Sequence, residues 1–240
     1  MSKDAPIALE AYERLAEAFS ARAEYKAENA YIEQPAIRSM LGSVYGLTIL
    51  EAGCGPGILA QYLLSSGASS LTGFDISPKM IEFAGRRLGD MATLHIADLA
   101  QPLQFASDSE FDLVVSSLAI DYVRNWAQPF SEFRRVLKPK GRLVFSVQHP
   151  QSAFEWYQPP SAFGVHPVQA TWEDFGGEPV VVPDYYRSFG EMINPLVTNG
   201  FHVSRLVECR PVSDLLEHDP VLYEKYLNRP TFMVFEAVLS

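Results

Sequence analysis

Nine residues constrain this 240-residue chain more than any others. The apolar run Ile49-Leu50-Glu51-Ala52 opens into Gly53-Cys54-Gly55-Pro56-Gly57, and helix-forming sequence follows from Ile58. Glycine is required in such a turn because the backbone takes conformations that a Cβ would forbid and comes within contact distance of a ligand. A buried strand feeding a glycine turn and then a helix is the start of a crossover unit, which implies parallel strands and right-handed connections. Glu51 closes the first strand, and Asp75 ends a second apolar run, Ser70-Leu71-Thr72-Gly73-Phe74-Asp75. That is about the separation at which a second strand presents a carboxylate to ribose hydroxyls. Together these residues describe an adenosine pocket.

The loop also discriminates between nucleotides. A pyridine-nucleotide loop reads G-x-G-x-x-G and reserves the helix N-terminus for a pyrophosphate. Here the spacing is G-x-G-x-G, Pro56 stiffens the turn, and the bulky Ile58 follows Gly57, with no P-loop lysine. This arrangement suits an uncharged amino-acid portion better than a diphosphate. Glu51 to Gly57 matches E/D-x-G-C/S/T-G-x-G, the first motif of the class I S-adenosylmethionine-dependent methyltransferases, and the chain resembles the small-molecule, ubiquinone/menaquinone-biosynthesis-like type 11 branch of them.

Three further segments carry that resemblance. Thr93-Leu94-His95-Ile96-Ala97-Asp98-Leu99 is similar to the third-strand motif, whose acidic residue contacts adenine, a role the resemblance gives to Asp98. Phe111 to Ala119 is similar to the fourth-strand motif, ending in small residues that line the transfer site, and Leu137 to Ser146 resembles the helix end, turn and fifth strand. The resemblance implies a Rossmann-like α/β fold: a seven-stranded, mostly parallel sheet with an antiparallel last strand, helices on both faces and a small cap over the active site. It implies S-adenosylmethionine as cofactor and S-adenosylhomocysteine as product. Glu51, Gly53, Gly55 and Gly57 would hold the methionine end, Asp75 the ribose and Asp98 the adenine, with Cys54, Ile76, Met80, Leu99 and Ser116 completing the pocket.

Composition agrees. Apolar residues make up 48% and charged ones 20%, and no apolar stretch approaches the ~20 residues needed to span a bilayer. Met1 to Pro6 lacks the apolar core of a signal peptide, and two cysteines, Cys54 and Cys209, suit a reducing cytoplasm. A net charge of −10 argues against a polyanionic partner such as nucleic acid. The basic run Arg134 to Lys140 is read instead as charge complementing a helix C-terminus. The expected partner is a small-molecule acceptor, with no membrane insertion and a homodimer left open.

A single domain is expected across residues 1–240. Residues 1–45 would form an N-terminal helical lid, with helix over 7–28 and a second helix from Pro35 to about Met40. The cofactor-binding core would occupy 46–150, with helices over Ile58–Ser66, from Pro78 after a Ser77 cap, and over Asn125–Leu137. Residues 151–188 are dense in aromatics and prolines, among them Trp156, Tyr157, Trp172, Phe175, Tyr185 and Tyr186, and read as a cap over the acceptor. Residues 189–240 would supply the last helix and strands over Val203–Glu208 and Thr231–Val238, with a helical insertion near 212–228 that covers the pocket or makes a dimer. Tyr25 and Tyr31 are candidate lid residues, since an aromatic ring beside a sulfonium is attractive.

Methyl transfer from a sulfonium asks mainly for alignment of the acceptor, so a general base is optional. Asp121 and His149 are the candidates, each at a predicted strand end. Relatives of the ubiquinone type often carry histidine where Asp121 stands; aspartate there serves as a base, as the counter-ion of an amine, or as the cap of a turn. His149 is either a proton acceptor at the sheet edge or a hydrogen-bonding residue of the Pro150 turn. The histidines and cysteines show no metal-ligand spacing, so no metal is expected. The function this supports is methyl transfer to an O, N or C nucleophile of a small, partly apolar metabolite. The alternatives are a non-catalytic S-adenosylmethionine-binding sensor or scaffold and an RNA or protein methyltransferase. Against nucleic-acid amino-methylation, Ser116-Ser117-Leu118-Ala119 stands where an Asn/Asp-Pro-Pro-Tyr/Phe motif would be.

Overall fold

The computed structural model describes residues 6–173 and 178–239, so Met1–Ala5 and the cap aromatic Phe175 lie outside the described residues. Its centre is a seven-stranded sheet built from β1 (Thr48–Ala52), β2 (Ser70–Asp75), β3 (Thr93–Ile96), β4 (Phe111–Ser117), β5 (Leu137–Gln148), β8 (Phe201–Glu208) and β9 (Phe232–Leu239), in the order β3-β2-β1-β4-β5-β9-β8. β1 pairs in parallel with both β2 and β4, and β9 runs opposite in direction to the other six strands. The sheet order reverses between β1 and β4, and ligands of open α/β sheets bind beyond the strand C-termini at such a point.

Side-chain alternation along the strands fills two layers. Leu50, Val114, Phe145 and Phe235 join Trp126, Phe130 and Phe133 on one face. Ile49, Leu113, Val144 and Val234 join Ile32, Ile37, Leu59 and Leu63 on the other. Parallel strands buried on both faces need such near-continuous apolar runs. The covering helices are α2 (Gln34–Leu41), α3 (Ile58–Ser65), α4 (Pro78–Leu88), α5 (Ala127–Val136) and α7 (Phe189–Thr198). Ser77 caps α4 as its sequence suggests, its hydroxyl accepting from the Met80 N–H at 3.1 Å. The basic run is internally paired at two positions: Arg135 with Asp108 and Glu132, Lys138 with Asp112.

The segments outside the sheet differ in detail from the sequence expectation. The N-terminal helix α1 (Leu9–Arg22) stops short of residue 28, and one π-helical turn, Asn29–Glu33, leads into α2 and buries Ile32 and Glu33. The 151–188 segment is α6 (Pro150–Tyr157) followed by an antiparallel hairpin, β6 (Val165–Trp172) and β7 (Val180–Arg187). Ala11 and Leu15 of α1 pack on Val180 and Val182 of that hairpin. Residues 213–227 form two short helices, α8 (Ser213–His218) and α9 (Pro220–Leu227). Among the described residues no helix is long and apolar enough to cross a membrane.

Candidate active site

The glycine loop is held by its own backbone and by one carboxylate. Gly53 and Cys54 both donate N–H bonds to the Phe74 carbonyl, at 2.8 and 2.9 Å, lashing the loop to the end of β2. Asp75 accepts from Gly55 N–H on one oxygen and from Ser77 N–H on the other, both at 2.9 Å. Gly53 has φ of 74°, and a Cβ placed there would sit 2.3 Å from the Ala119 Cβ, so no other residue fits without moving the β4 loop. Leu118, with φ of 49°, is a strained non-glycine position at the end of β4, held by an N–H bond to Ser146 Oγ at 3.0 Å.

A cavity of about 640 Å³ opens at the C-terminal ends of β1 and β4, within the roughly 300–1,000 Å³ of small-molecule sites. One end is lined by Glu51, Gly53, Cys54, Gly55, Asp75, Ile76, Met80, Asp98 and Leu99. Glu51 is 2% exposed, and its Oε2 is a buried acceptor with no hydrogen-bond partner. Burial, then repulsion from Asp75 and Glu33, pushes its carboxyl up to about 8. Asp98 is fixed by accepting from the Ala100 N–H at 2.8 Å.

The other end is built mostly from outside the sheet. Tyr12 of α1, Asp121 and Tyr122 after β4, Gln148 at the end of β5, Tyr157 of α6, and Trp172 and Asp184 of the hairpin all line it. Gln148 connects these elements: its N–H donates to Asp121 Oδ2 at 2.9 Å and its Nε2 to Asp184 Oδ2 at 3.0 Å. Tyr157 donates to the same Asp184 oxygen at 3.0 Å, and the Tyr12 and Tyr122 hydroxyls are 2.8 Å apart. Burial foremost, and then their mutual repulsion for Asp121, pushes both aspartate carboxyls up. Glu33 also lines the cavity, but its carboxylate is satisfied by Ser117, Ser146 and Gln34.

Residues 50–145 match the family model described as a methyltransferase domain. The crystal structure of an S-adenosylmethionine-dependent methyltransferase from Mesorhizobium loti is 30% identical, superposes with a TM-score of 0.70, and is aligned over 90% of this chain and 99% of that one. The chain belongs to the class I S-adenosylmethionine-dependent methyltransferases. An uncharacterized protein of Haemophilus influenzae is 33% identical over 129 residues, which are 51% of this chain and 50% of that one. A malonyl-[acyl-carrier protein] O-methyltransferase of Erwinia billingiae is 32% identical over 133 residues, 53% of this chain and 45% of that one. The chain thus spans about half the length of the curated relatives it matches.

The methyltransferase's glycine-loop end fits its family's cofactor on its own chemistry. The unpartnered Glu51 oxygen is an acceptor for an ammonium group, Asp75 retains lone pairs for hydroxyls beyond its two backbone donors, and Asp98 offers a carboxylate oxygen at the far rim. Several sequence-predicted residues lie elsewhere. Gly57 does not line the cavity; it caps α3 with φ of 80° and packs near Ala84 and Leu88. Ser116 is turned into the sheet, donating to the Ala52 carbonyl at 2.9 Å, and its neighbour Ser117 lines the cavity instead. Tyr25 is 75% exposed on the turn after α1, and the Tyr31 ring packs 5.3 Å from that of His218. His149 caps α6, its Nδ1 accepting from the Gln151 N–H, while its Nε2 meets Glu208 at 3.0 Å. It has the turn role rather than a place at the cavity. Asp184 and Tyr12 were missed as site residues, because only the hairpin and the α1 packing bring them there. Among the described residues no cluster of His, Cys, Asp or Glu could hold a metal.

Proposed function

We propose that this methyltransferase transfers a methyl group from S-adenosylmethionine to an O, N or C nucleophile of a small, partly apolar acceptor. The observation that carries the reading is the continuity of one cavity from the Glu51–Asp75–Asp98 end to the Asp121–Tyr157–Asp184 end. The cofactor supplies an electrophilic methyl group on a sulfonium, with a neutral thioether as leaving group. The chain's part is alignment and proton handling. The glycine loop and Asp75, locked to each other, fix the donor end before binding, so little ordering is lost on reaching the reactive geometry. Asp121 is placed to take a proton from the acceptor, and its raised carboxyl makes it a stronger base than an exposed aspartate. Tyr12, Tyr157 and Trp172 enclose the acceptor end and keep bulk water from it.

The malonyl-[acyl-carrier protein] in the Erwinia billingiae relative's name is not the acceptor proposed for this chain. Tyr12, Tyr157, Trp172 and Asp184 lie outside the 50–145 match, so the acceptor end is built largely from sequence that the family model does not cover. The reading is tested by calorimetric titration with S-adenosylmethionine, S-adenosylhomocysteine and NAD side by side. Micromolar binding of the two sulfur compounds without NAD is expected; absent binding, or a preference for NAD, overturns it.

A further inference from the structure

Buried charge at the acceptor end does not balance. Asp121, Asp184 and Arg187 are 5%, 2% and 2% exposed, so two carboxylates and one guanidinium leave water together, a formal sum of −1. Arg187 is engaged elsewhere: its Nη2 donates to the Val123 and Arg124 carbonyls at 2.7 and 2.9 Å, its Cζ lies 4.1 Å from the Trp126 ring centroid, and its Nη1 has no partner. None of the ion pairs among the described residues includes either aspartate. Asp184 accepts from Tyr185 N–H on one oxygen and from Gln148 Nε2 and Tyr157 OH on the other. Asp121 accepts one bond on Oδ2, from Gln148 N–H, and lines the cavity with its other oxygen uncommitted. Isolated buried charge is expensive, and it is relieved either by a proton or by a ligand of opposite sign.

We propose that the methyl acceptor is a primary or secondary amine, bound as its ammonium by Asp121 with Asp184 behind it and the tyrosine rings of residues 12, 122 and 157 around it. The inference rests on the methyl-transfer reading and narrows its acceptor. Aromatic rings beside carboxylates favour a cation twice over, by ring quadrupole and by charge. A neutral alcohol would donate one hydrogen bond to Asp121 and leave the excess charge in place. A carboxylate-bearing acceptor would add to it. Nitrogen accepts a methyl group only through its lone pair, so the ammonium first gives one proton to the aspartate pair. The N–C bond then forms as the C–S bond breaks, the sulfur keeping that electron pair and the nitrogen taking the positive charge. Asp184, Arg187, Tyr12 and Tyr157 are the charged and titratable groups that face Asp121.

The test is calorimetry on the full chain saturated with S-adenosylhomocysteine, using three ring-matched probes: phenethylamine, 2-phenylethanol and 3-phenylpropanoate. Phenethylamine should bind at least about tenfold more tightly than 2-phenylethanol, and 3-phenylpropanoate should not bind. Asp121→Asn and Asp184→Asn remove the charge at nearly constant shape, and each should cut the preference for phenethylamine over 2-phenylethanol by about tenfold while S-adenosylhomocysteine still binds. Equal binding of amine and alcohol, preference for the carboxylate, or a uniform loss for all probes in both variants would overturn the amine assignment alone. Failure of S-adenosylhomocysteine to bind the wild-type chain would instead sink the methyl-transfer reading, and the amine assignment with it.

Discussion

Asp75 shows how one side chain joins structure to binding. Its two oxygens hold the Gly55 and Ser77 N–H groups, so it fixes the glycine loop and lines the same cavity. Asp75→Ala should therefore weaken S-adenosylhomocysteine binding by about tenfold or more, as for a lost charge-assisted hydrogen bond; unchanged affinity in titration would refute the site map. Glu51 makes a pH prediction. Its carboxyl stands at about 8 in the cavity against 4.5 ordinarily, so between those values the folded chain holds a proton that the unfolded chain has released. The stabilising share of that proton is complete below about 4.5 and is lost as pH rises through about 8, a slope near 1.4 kcal/mol per unit at most. Glu51→Gln should flatten the decline of urea stability over that window. In wild type, an ammonium bound at Glu51 should expel the proton, seen as buffer-dependent binding enthalpy at pH 7. That Asp75, Glu51 and Asp98 line one cavity is legible because each sits at or just past a strand end in a local pattern. His149 was misplaced by strand parity: β5 presents Gln148 to the cavity, and the next residue turns away to cap α6.

At the scale of elements, the join between α4 and α1 is the most economical to break. Ser77 Oγ accepts from the Met80 N–H and donates to Glu13 of α1 at 2.5 Å, and Glu13 also receives the Lys79 N–H at 3.2 Å. Ser77→Ala should cost about 1 kcal/mol of folding stability as a lost N-cap, with circular-dichroism melts in urea as the measure; a threonine in its place should restore most of it. The sheet was readable because its strands are apolar runs bounded by glycine, proline and charge. The β6–β7 hairpin was not, since Pro167 and Pro183 interrupt both runs and proline argues against a central strand. A detached two-stranded ribbon tolerates them because each strand has an edge without a partner. The same limit hid Asp184, whose place opposite Asp121 follows from the hairpin's register and from Gln148, neither of which leaves a local trace.

Across the whole molecule, the cavity is closed by elements far apart in sequence, and Tyr12 is where they meet. Its hydroxyl bonds Tyr122 beyond β4, and its ring makes edge contacts with Phe19 of α1, Tyr122 and Trp172 of the hairpin, at centroid distances of 5.6, 5.4 and 6.1 Å. The rest of the seam between α1 and the hairpin packs Ala11 and Leu15 against Val180 and Val182, with Ala18, Phe19 and Trp172 at its margin. Removing the Tyr12 ring should therefore loosen α1 and β6–β7 together, while β4 and β5, buried on both faces by independent packing, stay as they were. Hydrogen exchange on Tyr12→Ala tests this: faster exchange is expected over 9–22, 165–172 and 180–187, and unchanged exchange over 111–117. A change confined to 9–22 would mean that hairpin and helix close the cavity separately. Coupled loosening would mean that acceptor enclosure is a cooperative property of the cap, set by a contact that no single element contains.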